Sequence, residues 1–391
     1  MPLYDLSGPG TFEMPPAGRV QFLPYRSLWT GARRATTSMR FASSLLKRIV
    51  YPCLSRSGYL SARAAGENLC VITYHGVLPS GYEVGDPDQD GGLVTVEQFR
   101  LQLRLLKSHY HVVSPAEVLA WATEGRELPR RSILLTCDDG LLNTLTDMAP
   151  VLREEKLSCL FFVLGSSAGQ QSERLWYDEL YLLLLAAPSG SFPIEAGGMT
   201  VELQERGQRR RVWGDLLKKL SALDQPERLR FIDDARVKFG LDKEWDEKFR
   251  IGEAQRRRFS LLNLNELRQL VDEGMSVGSH TLSHPILSQQ EADMAWKEIS
   301  ESKAKLEKAL GIQVWALAYP FGDPDSVTSR EWQMAEQAGF ACAFMNVGGG
   351  FGARLSRFAL PRVHVTSEMG LAEFEAHVSG FHRTLRAAFS G

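Results

Sequence analysis

Closely spaced cysteine pairs are missing from this 391-residue sequence, and so are long apolar runs and any large excess of charge of one sign. The five cysteines (Cys53, Cys70, Cys137, Cys159 and Cys342) are odd in number and widely spaced, with no CxxC. That excludes a disulfide framework and a cysteine zinc site, leaving reduced core thiols in a cytosolic setting as the expectation. The longest apolar run, Leu180 to Ala187, is far short of the ~18 residues that a membrane-spanning helix needs. A net charge of −2 excludes generic polyanion binding by the whole chain, so no nucleic-acid partner is expected. What remains is ordinary globular composition, 44% hydrophobic and 24% charged.

The charge is unevenly placed. Residues 1–70 hold nine Lys and Arg against Asp5, Glu13 and Glu67, a net of +6, which leaves −8 on the rest. The expected organisation is therefore a basic, loosely ordered extension over 1–64, followed by a domain over 65–391. No apolar stretch of the secretory kind follows the N-terminal charges. The expected location is the cytoplasm, with peripheral contact at the inner membrane face through the basic segment. Met39 is an alternative start.

From residue 69 onward, short apolar runs alternate with helical patterns. Strands are expected at Leu69–Tyr74, Ser132–Cys137, Cys159–Leu164, Met275–Gly278, Val314–Tyr319, Ala341–Met345 and Phe358–Val365. Capping boxes open helices at Thr95 with Gln98, Ser114 with Glu117, Asn263 with Glu266, Ser288 with Glu291 (a helix over Gln289–Leu310) and Thr328 with Glu331. A further helix is expected over Asn143–Glu155. This alternation predicts a parallel sheet, closed economically as a barrel. Residues 165–260 break the rhythm with Arg-rich helical pieces and read as a largely helical insertion in one strand-to-helix loop.

Polar residues collect just past the expected strands: His75, Asp138-Asp139, His280 with His284, and Tyr319-Pro320-Phe321-Gly322. In a parallel barrel these strand ends converge on one rim. His280 and His284 are four apart, and Pro285 disfavours helical geometry at His284, so a tight turn presents both imidazoles. Two histidines and a carboxylate with open positions make a catalytic metal site rather than a closed structural one. Neighbouring carboxylates past a strand end point differently, so one can hold metal while the other takes a proton from water. The competing reading of Asp138-Asp139-Gly140 is a solvated turn that caps the next helix. For Trp176 and Tyr177 the readings are sugar stacking or helix-packing core.

These residues resemble the NodB-type polysaccharide deacetylases, carbohydrate esterase family four. The first family motif, T-F-D-D-G, reads here as Thr136-Cys137-Asp138-Asp139-Gly140, and the second, H-S/T-x-x-H, as His280-Thr281-Leu282-Ser283-His284. The resemblance covers most of 68–365 outside the insertion. It implies a distorted, incomplete (β/α) barrel, with Asp138 as general base and Asp139, His280 and His284 as ligands of one divalent ion. Zn²⁺ is the expected metal, with Co, Ni, Mn or Fe as alternatives. The third motif departs from R-x-P-Y to Ala318-Tyr319-Pro320-Phe321, losing its arginine. By position, the Phe321 N–H then faces the oxyanion beside the metal, Tyr319 belongs to the same substrate-side loop, and Arg362 either supplies the missing positive charge near Asp138 or forms a surface ion pair. Tyr74-His75-Gly76 looks like the general-acid segment of the poly-N-acetylglucosamine deacetylase branch, which makes His75 the expected acid ahead of His364. The implied reaction is hydrolytic N-deacetylation of an N-acetylated oligo- or polysaccharide. A non-sugar amide hydrolase and a non-catalytic binding protein are the alternatives.

Overall fold

A ring of parallel strands carries the fold. The computed structural model describes residues 45–63, 69–84, 89–169, 174–242, 245, 252–350 and 356–390. In chain order the strands are β1 (Leu69–Tyr74), β2 (His111–Val113), β3 (Ser132–Cys137), β4 (Leu160–Val163), the antiparallel hairpin β5 (Gly190–Ile194) and β6 (Met199–Leu203), β7 (Ser276–Ser279), β8 (Ala316–Ala318), β9 (Cys342–Met345) and β10 (Leu360–His364). The ring runs β1-β10-β9-β8-β7-β4-β3, and β3 pairs back onto β1, closing seven strands into a barrel. The eighth, β2, pairs with residues 132–134 of β3, while β4 pairs with 136–137. This sharing of β3 is the distortion that the barrel accommodates.

Strand alternation of period two builds two layers. Val71, Leu134, Leu160, Phe162, Ala318 and Phe344 belong to one buried cluster inside the ring. Ile72, Leu135, Phe161, Val277 and Leu317 belong to another that joins the surrounding helices, including Phe99 and Leu103. Registers pair Val71 with Leu134 and Arg362, and Thr73 with Thr136 and His364. The inward parity therefore runs Val71, Thr73, His75 on one strand, Leu134, Thr136, Asp138 on the next, and Leu360, Arg362, His364 on a third. A layer of apolar side chains gives way to a polar layer at the rim.

Four of the expected capping boxes form with both reciprocal hydrogen bonds, at Thr95, Ser114, Asn263 and Thr328. Such caps are each worth about 1 kcal/mol. The box at Ser288 does not form: the helix starts at Ala292, after a short turn at Leu287–Gln289, and the Ser288 hydroxyl donates to the Asp325 carbonyl. The Asn143–Glu155 stretch divides into a wide turn at Thr144–Met148 and a helix at Ala149–Glu154. The insertion after β4 contains three helices of eleven residues or more, Trp176–Ala186, Arg206–Leu220 and Gln225–Lys238, together with the β5–β6 hairpin. It has its own apolar core around Leu183, Trp213, Leu217 and Phe231.

The expectation of a loosely ordered 1–64 segment is corrected for 45–63. There Tyr51–Arg56 and Tyr59–Arg63 are helical, and Tyr51 and Leu60 are buried against Ala376 of the Leu371–Val378 helix. The segment's basic, Ser-rich composition hid these few apolar anchors. Residues 1–44, including Arg33-Arg34, lie outside the described residues. Of the five cysteines, four are buried thiols and Cys53 is exposed.

The Tyr51 hydroxyl is hydrogen-bonded to His382 Nδ1 at 2.7 Å, and the His377 and His382 rings stack at 3.9 Å. Burial, with Arg386 and Lys47 adding to it, lowers the His382 pKa to about 4. A depressed imidazole pKa contributes stability that is full above about 6.5 and lost as pH falls toward 4. Wild type should therefore lose on the order of 2 kcal/mol more than His382→Asn between pH 7 and pH 4.5. Urea midpoints at both pH values measure this, and equal losses would refute it.

Candidate metal centre

Asp138 and Asp139 leave β3 at a sharp turn. The Asp138 N–H donates to the Tyr74 carbonyl, Asp139 has φ 73°, and Gly140 follows at φ 72°. A side chain at Gly140 would press on Val163, its Cβ lying 2.9 Å from Cγ1, so glycine is required there. Six non-glycine residues among those described have positive φ, and four of them are Asp139, Thr281, His284 and Phe321. Each costs about 1–3 kcal/mol, and such strain collects where side chains must be aimed.

Those turns aim three side chains at one point. Asp139 Oδ1 lies 3.5 Å from His280 Nε2 and 3.5 Å from His284 Nε2, and all three residues are buried. His280 Nδ1 is 2.8 Å from the Ala318 carbonyl, which can only accept. Nδ1 therefore carries the proton and Nε2 presents a lone pair toward Asp139. Asp139 Oδ1 is a buried atom with no hydrogen-bond partner. Donors about 2.0–2.2 Å from a tetrahedral ion stand roughly 3.3–3.6 Å apart, so these residues fit a Zn²⁺-like ion.

The electrostatics agree. Burial opposes ionisation of Asp139, but the facing His280 and His284 imidazoles outweigh it and hold its pKa well below the usual carboxylate range. Burial also opposes protonation of His280, yet Asp139 and Asp138 raise its pKa. His284 is lowered, by burial first. The cluster is built to hold one positive charge.

Supports come from the barrel and from the insertion. Glu298 accepts from the Leu282 and Ser283 N–H groups and from the Ser283 hydroxyl, fixing the turn between the histidines. Arg228 of the insertion donates to the Ser283 carbonyl and hydroxyl, and lies 4.8 Å over the Trp176 ring. Trp176 Nε1 donates to the His284 carbonyl, and the Tyr177 hydroxyl is 3.4 Å from Asp139 Oδ2. Trp176 and Tyr177 thus brace the centre, and the insertion is one of its walls. Nothing in the spacing of Arg228, Tyr177 or Glu298 announces this, because each meets the site only through tertiary packing.

Beside this cluster, Asp138 is clamped by Arg362, which donates from Nη1 to Oδ1 at 2.7 Å and from Nη2 to Oδ2 at 2.6 Å. Burial would raise the Asp138 pKa, but the Arg362 charge, with His280, lowers it. Arg362 is 1% exposed and occupied by Asp138, so it acts on this carboxylate rather than on a ligand. His75 and His364 are brought together: His75 Nδ1 lies 3.0 Å from His364 Nε2, with the rings edge to face. His364 is half-buried, and desolvation with the neighbouring His75 holds its pKa well below the usual imidazole range.

The Tyr319–Gly322 loop divides. The Phe321 ring stands edge-on to His284, with centroids 4.8 Å apart. Tyr319 is a correction: its side chain is 1% exposed and its hydroxyl donates to the Phe358 carbonyl, so it anchors the barrel wall instead of facing a substrate.

Residues 244–343 match the polysaccharide deacetylase family. The match spans both histidines and the Tyr319–Gly322 loop, and stops short of β10. The match is confined to this stretch of 100 residues and does not include Asp138 or Asp139. No curated protein matches the chain. Among solved structures, it is similar to a Streptococcus pyogenes deacetylase, PplD, in complex with acetate. That likeness has 17% identity and a TM-score of 0.49, covering 80% of this chain and 98% of that one. It is also similar to IcaB from Ammonifex degensii, at 19% identity and a TM-score of 0.48, covering 80% and 98%. A de-N-acetylase from Aggregatibacter actinomycetemcomitans is matched at 12% identity and a TM-score of 0.48, covering 80% and 100%. With TM-scores below 0.5, none of these likenesses bears on the conclusions below.

Proposed function

We propose that the protein is a metal-dependent hydrolase that removes acetyl groups from the acetamido sugars of a glycan, an N-acetylglucosamine-containing exopolysaccharide or its precursor. The observation that carries this reading is the Arg362-clamped Asp138 beside a buried Asp139–His280–His284 cluster that fits one divalent ion. Bound there, Zn²⁺ or a similar ion supplies Lewis acidity toward an amide carbonyl and lowers the pKa of a nearby water.

The chain's own groups do the rest. Asp138, kept ionised by Arg362, accepts the proton of the attacking water; each of its oxygens retains a lone pair beside its Arg362 bond. The Phe321 N–H donates to the oxyanion as the carbonyl carbon becomes tetrahedral. His75 gives a proton to the departing nitrogen, and acetate and a free amine result. His75 Nδ1 faces His364, so Nε2 is the nitrogen left for the substrate. With its Nδ1–H donating to His364 Nε2, His75 is oriented by a half-buried imidazole whose lowered pKa keeps it neutral.

Metal titration and acetate release together test the reading. Wild type should bind one Zn²⁺ per chain and release acetate from N-acetylglucosamine oligomers. His280→Ala should lose at least about a hundredfold in metal affinity and all measurable release. Metal bound tightly by wild type with no release from any oligomer would move the substrate to a non-sugar amide, or the role to binding alone.

A further inference from the structure

The outward face of the N-terminal helices carries exposed apolar side chains beside basic ones. Between Leu45 and Arg56 the exposed residues include Leu45, Arg48, Ile49, Cys53 and Arg56, spaced by one, three or four residues and so gathered on one helical face. Leu45 is 44% and Ile49 is 55% exposed. Tyr59, 46% exposed, and Arg63 continue the pattern four residues apart on the next helix. A soluble helix normally turns such apolar residues inward; here the inward side is already filled by Tyr51, Leu54 and Leu60.

The charges on this face have one sign. Residues 45–66 contain Lys47, Arg48, Arg56 and Arg63, and residues 376–391 contain Arg383 and Arg386, with no Asp or Glu in either segment. These segments pack together: Arg63 donates to Thr384 and lies 6.0 Å over the Phe381 ring. Lys47 is paired with Glu373 at 3.0 Å, whereas Arg48 and Arg56 make no ion pair among the described residues. The chain upstream keeps the sign, with Arg19, Arg26, Arg33, Arg34 and Arg40 against Asp5 and Glu13. Basic and apolar side chains interleaved on one exposed helical face, without acidic residues, are the pattern that binds an anionic bilayer surface.

We propose that this face, Leu45–Arg63 backed by the Phe381–Ser390 helix, docks the protein on anionic lipid. Arginine guanidiniums meet headgroup phosphates, and Leu45, Ile49 and Tyr59 enter the headgroup–acyl boundary. Lys47 ties this face to Glu373 of the Leu371–Val378 helix. The docking stands apart from the deacetylase reading, since none of its residues belongs to the metal centre.

Sedimentation of the full chain with vesicles tests it. Wild type should pellet with phosphatidylcholine–phosphatidylglycerol vesicles, stay in solution with phosphatidylcholine alone, and be released by salt. The variant carrying Arg48→Glu and Arg56→Glu should bind at least about tenfold more weakly, and Leu45→Ser with Ile49→Ser should weaken binding as well. Zn²⁺ affinity unchanged in both variants shows that the barrel is intact. Wild type left in the supernatant with anionic vesicles overturns the proposal. So does undiminished binding by the charge-reversed variant, which would move the contact to residues 1–44. A lipid-free dimer abolished by Leu45→Ser with Ile49→Ser would also overturn it, making the face a contact between copies of the chain.

Discussion

Asparagine at position 138 should lower acetate release by about 10²–10⁴-fold, the range that a positioned general base contributes. The substitution keeps the shape and one acceptor for Arg362, but removes the charge that takes the proton. Because Asp139 faces the histidines and Asp138 faces Arg362, metal content should stay near that of wild type. A parallel loss of metal and rate would mean that Asp138 is itself a ligand, and the division of labour between the two carboxylates would fail. The substitution also leaves the Arg362 guanidinium buried without its counter-charge, which typically costs about 3–5 kcal/mol. Rates must therefore be taken on protein shown to be folded. Asp138 has a lowered pKa, so its contribution to wild-type stability is present above about 3.8 and lost as pH falls through the native value.

The largest expected loss of stability comes from Arg258→Met. Arg258 is 3% exposed and binds Asp90 Oδ1 at 2.6 Å, Asp178 Oδ2 at 3.3 Å and the Gln89 carbonyl. The Tyr82 hydroxyl donates to the other Asp90 oxygen, and Gln89 Nε2 donates to Asp178. Burial already pushes the Asp178 pKa up to about 6, with Arg258 opposing it. Removing the guanidinium strands two buried carboxylates, a change worth about 3–5 kcal/mol. The Asp178 pKa then rises further above its unfolded value, so the stability that remains is lost as pH rises and regained as pH falls. The variant should accordingly show its greatest deficit at pH 8 and a smaller one at pH 5.5 by urea unfolding. Adding Asp178→Asn should return part of the loss at pH 8. A deficit independent of pH would show that lost packing, not stranded charge, is responsible. Asp178 adjoins Tyr177, whose hydroxyl faces Asp139, so zinc affinity should also fall in Arg258→Met.

What could be read from the sequence was local in origin. The boxes at Thr95, Ser114, Asn263 and Thr328 need only residues three apart, and each formed. The run Leu69–Tyr74 needs only its own apolar content, and its limits match β1. Ser288 with Glu291 satisfied the same local rule and failed, because Leu287–Gln289 folds as a separate short turn and the helix starts only at Ala292. Three residues, His111–Val113, were too short to stand out as a strand, yet β3 recruits them. The ligand candidates were legible because the DDG and HxxxH patterns are compact. The braces were not: Glu298, Arg228, Tyr177 and the helical 45–63 segment act across distances in sequence that no periodicity encodes.

Arg362 and Asp138 are 224 positions apart, and the strand that carries Arg362 also pairs with β1 to complete the ring. During synthesis at the ribosome, everything through β9 emerges while Asp138 still lacks its counter-charge and His75 its partner imidazole. A chain that ends before residue 360 contains Asp139, His280 and His284 but lacks the Arg362 clamp on Asp138 and the His364 partner of His75. On the proposed reading the last strand is a completion check: the base's counter-charge and the acid's partner both arrive with barrel closure, so a truncated chain is expected to be inert rather than partly active.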